Sequence, residues 1–168
     1  MPIIALAILI AAALGGGVSA AAAHSTPGDV LWGFKVEVNE SLQGALSFGD
    51  EQKANWDIAV AQERLQEAQR LAAEGKLDAN AQAQLAANFR RHASDVADRV
   101  AALEATGKYA AAADVSARFE STLSQSASVL AQANVDAQGE LSTLVRSTLG
   151  AVGNLSADAS AQAQAHAQ

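Results

Sequence analysis

From Ala54 to Leu130 the residues able to pack recur at steps of three and four, and no other feature of the chain restricts its fold as tightly. The first run is Ala54, Ile58, Ala61, Leu65, Ala68 and Ala72. A helix of 3.6 residues per turn gathers such positions onto one stripe, whereas a strand would divide them between two faces. The second run is Leu77, Ala81, Leu85, Phe89, His92, Val96, Val100 and Leu103, and the third is Tyr109, Ala112, Ser116, Phe119, Leu123, Ser126 and Leu130. Gly75 and Gly107 stand where a left-handed residue commonly ends a helix, Asp78 can cap the helix that follows, and Asp50, after the break at Phe48-Gly49, can cap the first. Three helices of about 25 residues joined by such short links must lie antiparallel.

Composition decides what kind of seam this is. Alanine makes up about a quarter of the chain and aromatic residues only 4%. Alanine is the best helix former and contributes little apolar area, so the helices form readily and their axes can approach closely. The fold predicted is all-α: an antiparallel three-helix bundle of long alanine-rich helices, with an additional N-terminal helix and an apolar N-terminal leader.

Residues 1–23 contain no ionisable side chain; an apolar run from Pro2 to Leu14 is followed by Gly15-Gly16-Gly17 and by small residues around Ala20 to Ala23. This is the outline of a signal peptide, or of a membrane or assembly anchor helix if it is retained. The bundle domain is expected over 24–133. Within it, Thr26, Pro27 and Asp29 predict a helix start, with Asp29 reaching back to the Thr26 backbone N–H and with Leu31, Phe34, Val38, Leu42 and Ala45 as the apolar face. Leu141, Val145, Thr148 and Val152 suggest one more helix over 134–155, weakened by Gly139, Gly150 and Gly153. The stretch 156–168, built from Ala, Ser and Gln with one Asp and one His, predicts a low-complexity, disordered tail.

The charge pattern excludes several classes of function. A net charge of −7 leaves nothing to neutralise a phosphate backbone, so no nucleic-acid partner is expected. With no cysteine there are no disulfides, thiolate metal sites or cysteine nucleophiles. No Gly-x-Ser-x-Gly, His-Glu-x-x-His or phosphate-cradling loop occurs. Glu63, Glu67, Glu74, Asp95, Asp98 and Glu104 alternate with Arg64, Arg70, Arg90, Arg91 and Arg99, which is the pattern of solvated helix faces. The chain is therefore expected not to be an enzyme and to need no cofactor.

Of the three histidines, His24, His92 and His166, no two have ligand spacing. The candidate metal ligands are His92, Asp95 and Asp98, because three-residue steps share a helix face and two carboxylates beside an imidazole can hold a hard cation. The reading preferred over this one is that His92 sits in the seam as a hydrogen-bonded, partly buried imidazole, while Asp95 and Asp98 answer Arg91 and Arg99 on the wet side. Ser94, two residues from His92, points away from it and makes no nucleophile–base pair.

Several segments taken in order look familiar: Ser25-Thr26-Pro27-Gly28-Asp29-Val30-Leu31 with Lys35 and Glu40; Lys53-Ala54-Asn55-Trp56 through Gln62-Glu63-Arg64-Leu65 to Glu74-Gly75-Lys76-Leu77; Ala87-Asn88-Phe89 with His92; and Asp114 to Glu120. Over roughly residues 25–131 the chain resembles a bacterial family of extracytoplasmic helical domains of unknown function, in which a leader precedes a Pro-Gly-Asp-x-Leu motif and a long-helix bundle. The resemblance implies export and an all-helical fold, and it supplies no catalytic residue. The function expected is a secreted, cell-surface or membrane-anchored interaction or structural module whose partner is a protein or another copy of itself. The alternatives are a surface filament subunit packed through an uncleaved apolar helix and a periplasmic divalent-metal sensor.

Overall fold

The computed structural model describes residues 25–29, 32–36, 49–132 and 139–167, and the chain divides into two compact units, Met1–Leu46 and Ser47–Gln168. The predicted leader, residues 1–23, lies outside the described residues, as do Leu31, Val38, Leu42 and Ala45 of the predicted first apolar face. In the first unit the Asp29 carboxylate accepts from the Thr26 backbone N–H at 2.7 Å and from its hydroxyl at 3.0 Å, the reach-back that the sequence predicts. The helix does not begin there. Asp29 N–H donates to Thr26 O and closes a turn, and the short helix α1 spans Trp32–Phe34. Trp32 and Val36 are buried, and so is Lys35, whose Nζ donates to Ser25 O at 3.4 Å.

The second unit holds four long helices, α2 (Asp50–Ala73), α3 (Ala79–Ala105), α4 (Tyr109–Gln132) and α5 (Glu140–Ala165). No strand occurs among the described residues, and none of their helices is long and apolar enough to cross a membrane. The glycines end α2 and α3 in the same way. Gly75 and Gly107 take φ of 67° and 74°. Each N–H bonds three residues back, and the next N–H (Lys76 to Leu71 O, Lys108 to Leu103 O) bonds five back, so both ends are Schellman caps. Asp78 caps α3 through the Ala81 N–H at 2.8 Å. Asp50 does not cap α2. Gly49 holds the cap position without a side-chain bond, and Asp50 instead accepts from Arg99 Nη1 at 3.3 Å.

The predicted stripes form the core. Ala54, Ile58, Ala61, Leu65 and Ala68 of α2, Leu85, Phe89, Val96, Val100 and Leu103 of α3, and Ala112, Phe119, Leu123 and Leu130 of α4 are all buried. Ala72, Leu77 and Tyr109, the terminal members of their runs, are only partly covered. Packing is densest between α2 and α3 and between α4 and α5, with α2–α4, α3–α5 and the diagonal α3–α4 also in contact. A helix between two neighbours needs a broad stripe, and α2 accordingly buries Val60 and Leu71 beside its predicted seam.

The expected three-helix bundle is therefore corrected to four helices. The fourth, α5, runs to Ala165, through most of the stretch 156–168 whose composition predicts disorder. Its seam does not stop at Val152: Ser156 and Ala159 follow at steps of four and three and are buried. Alanine and serine side chains give no apolar signal in a sequence, yet they suit a close helix contact. At one end of α5, His166 stacks on Tyr109 with ring centroids 4.2 Å apart and planes 9° from parallel; further in, Glu120 Oε1 would lie 3.6 Å from a Cβ on Gly153. The start of α4 thus meets the end of α5, and the two are antiparallel.

Candidate functional site

The polar residues of the α2–α3 seam form a ladder. Asp50 pairs with Arg99 and Asp57 with His92, seven residues forward on α2 and seven back on α3, as antiparallel helices with a heptad register require. The Asp50–Arg99 pair is only half-buried and contributes modestly to stability. The second pair lies deeper: His92 Nδ1 and Asp57 Oδ1 are 2.8 Å apart, and both side chains are only 10% exposed. A neutral imidazole with its proton on Nδ1, or an imidazolium, donates to the carboxylate here.

Asp95 stands one turn along α3 from His92, and one ligand atom from each of Asp57, His92 and Asp95 lies within 4.8 Å of the other two. Partial burial and the neighbouring Asp57 carboxylate push the Asp95 pKa up, and this outweighs the opposing pull of His92, Arg99 and Arg91. Two carboxylates and an imidazole are thus gathered where the nearby guanidiniums offset their charge only in part. Arg99 is bonded to Asp50, and Arg91 donates to Asn88 Oδ1 at 2.8 Å with His92 Nε2 at 3.5 Å.

Of the three residues singled out from sequence, the fold brings His92 and Asp95 together and leaves Asp98 exposed. Sequence reasoning missed Asp57, which lies thirty-five positions upstream on another helix. The signal existed, because placing Asp50 opposite Arg99 in an antiparallel heptad register puts Asp57 opposite His92. His92 lies in the seam as a buried, hydrogen-bonded imidazole, as the preferred reading has it; Arg91 and Arg99 act on Asp95 through charge, but their hydrogen bonds go to Asn88 and Asp50 rather than to Asp95 and Asp98.

Two further charges differ from their predicted places. Arg64 and Glu67, read as members of a solvated face, are each 0% exposed; Arg64 Nε lies 3.2 Å from Glu67 Oε2 and Nη2 donates to Oε1 at 3.3 Å. A broad buried stripe on α2 takes in these positions as well as the seam. An open groove of about 480 Å³ runs between α3 and α5 past Ala93, Ala97, Ala151, Val152 and Leu155. Ser94 lines this groove and is not turned toward the His92 cluster.

Comparison with known proteins bears on the first half of the chain. Residues 24–99 match a domain of unknown function, DUF5667. No curated protein and no solved structure matches the chain. The DUF5667 stretch ends at Arg99, inside α3, where the resemblance read from the sequence extends to about residue 131. It contains Asp50, Asp57, His92, Asp95, Arg99 and the Arg64–Glu67 pair, and it leaves out α4 and α5.

Proposed function

We propose that the chain is a non-enzymatic module that works outside the cytoplasm, as a rigid helical scaffold presenting its faces to a protein partner or to further copies of itself. The observation that carries this reading is the use made of charge in the bundle. Arg64–Glu67 and Asp57–His92 are paired within the seams, and Arg90–Glu140 and Arg118–Asn55 tie α5 to α3 and α4 to α2. The three pairs that cross between helices, Asp57–His92, Arg90–Glu140 and Arg118–Asn55, hold those helices in register, whereas Arg64–Glu67 neutralises a buried charge within α2. The apolar segment 1–23 supports export or anchoring.

Intact mass and N-terminal sequencing of the native protein from cell fractions, with a membrane-impermeant cross-linker applied to whole cells, test the proposal. The expected result is a chain starting near Ala21 or His24 in the medium or envelope, or at Met1 in membranes or fibres, cross-linked to a protein or to itself. A cytosolic chain starting at Met1 that the cross-linker never reaches overturns it.

A further inference from the structure

We infer that Asp57, His92 and Asp95 form a binding site for a first-row divalent transition ion of the zinc type, which bridges α2 and α3. The argument begins with the donor set. One imidazole nitrogen and two carboxylate oxygens, drawn from two helices, lie within 4.8 Å of one another. An imidazole ligand selects borderline ions such as Zn²⁺ over Mg²⁺ and Ca²⁺, which prefer oxygen alone. Three protein ligands leave at least one position to water, as in open zinc sites.

The geometry needs a small adjustment at the His92–Asp57 pair and a side-chain rotation at Asp95, because the three ligand atoms span up to 4.8 Å. Ligand atoms around a tetrahedral zinc are about 3.3 Å apart, from bond lengths near 2.0–2.1 Å. The 2.8 Å between His92 Nδ1 and Asp57 Oδ1 is slightly shorter, so the ion takes the place of the Nδ1 proton and the pair opens by about half an ångström; a neutral ring moves that proton to Nε2, an imidazolium releases it to solvent, and Arg91 Nη2, 3.5 Å from Nε2, swings away from the N–H there. Asp95 is only half-buried and turns in to close the third side.

The charge balance points the same way. Asp57 and Asp95 converge on one imidazole, and two carboxylates so placed repel each other. A dication relieves that repulsion. The site is independent of whether the chain is exported, so its failure would leave the scaffold reading standing.

The test is isothermal titration of the untagged, chelator-stripped full chain with ZnCl₂, paired with thermal unfolding with and without the ion. Saturable one-to-one binding and a raised Tm with Zn²⁺ are expected, and neither with Mg²⁺ or Ca²⁺. Asp95→Asn, at the edge of the seam, should keep the circular dichroism spectrum and weaken binding roughly tenfold or more. Asp98→Asn, one turn along on the exposed face, should bind as the parent does. His92→Ala should abolish binding, and if it also unfolds the chain the Asp95→Asn and Asp98→Asn pair decides the question alone. Non-saturating heats, equal losses in Asp95→Asn and Asp98→Asn, or binding that disappears with His166→Ala would each overturn the assignment.

Discussion

Ala159→Asp tests whether the C-terminal stretch is part of the core or trails from it. Ala159 is 0% exposed in the last third of α5. Aspartate there must force extra atoms into a close helix contact, at about 1–3 kcal/mol, and must bury a carboxylate or displace the helix to hydrate it, at a further 1–3 kcal/mol. Replacing alanine by aspartate in any helix interior costs roughly another 0.7 kcal/mol in propensity. Ala161, two residues on and exposed, carries the propensity cost without the burial, so the difference between Ala159→Asp and Ala161→Asp isolates packing. It should be about 3 kcal/mol, which at an m-value near 2 kcal/mol/M shifts the urea midpoint by about 1.5 M. Unfolding followed at 222 nm reads it directly. Equal midpoints for the two variants would mean that 156–165 does not pack, and the four-helix description would fail.

Four other substitutions probe the rest of the unit. Glu67→Ala removes the carboxylate held by the fully buried Arg64 guanidinium, and should cost about 3–5 kcal/mol by urea unfolding, several times the loss from Lys76→Ala in the exposed Lys76–Glu74 pair. Gly75→Ala and Gly107→Ala each place a Cβ on a left-handed residue; each should cost about 1–2 kcal/mol, and the double variant should cost the sum, because the turns share no partner. Asp95→Asn should raise the stability of the ion-free protein at neutral pH. The folded-state pKa of Asp95 is raised, so its favourable contribution is present in acid and is lost as the pH climbs through that value. The gain from asparagine must therefore appear above the ordinary carboxylate range and vanish at low pH, and a gain that is flat with pH would refute the cause assigned to the shift.

What was legible in the sequence follows from which residues carry an apolar signal. Leu85, Phe89, Val96, Phe119 and Leu123 announce a helix face by size and spacing, and the structure buries each of them. Ser116 and Ser126 fell on the predicted stripe and are buried because a stripe position constrains even a small polar side chain, and Ser116 satisfies its hydroxyl on Ala112 O at 2.8 Å. Ser156 and Ala159 obey the same rule, but nothing beyond Leu155 is large enough to reveal the stripe, and the composition of the tail resembles that of a disordered chain. Arg64 and Glu67 were misplaced for the opposite reason. Their charge signals solvent, and only the presence of two neighbouring helices makes a face of α2 wide enough to enclose them as a pair. The His92 cluster was half legible, since a local helix repeat finds Asp95 whereas Asp57 requires the pairing of two helices in register.

That register also explains why α2 and α3 do not make a complete core as a pair. Two antiparallel helices can bury one seam, here Leu65 against the α3 stripe, but Val60, Leu71 and the Arg64–Glu67 pair lie on the wider face of α2 and must be covered by something else. Contacts of α2 with α4 and of α3 with α4 and α5 provide partners on the second unit's own chain. Two helices exposing an unpaired apolar face are marginal at best. Residues 50–105 expressed without α4 and α5 should therefore show partial helicity and a broad, non-cooperative urea transition, whereas 47–168 should unfold in a single sharp step. A sharp transition from the α2–α3 pair alone would mean that α4 and α5 are additions to a core already complete, and the buried charge pair on α2 would then need another explanation.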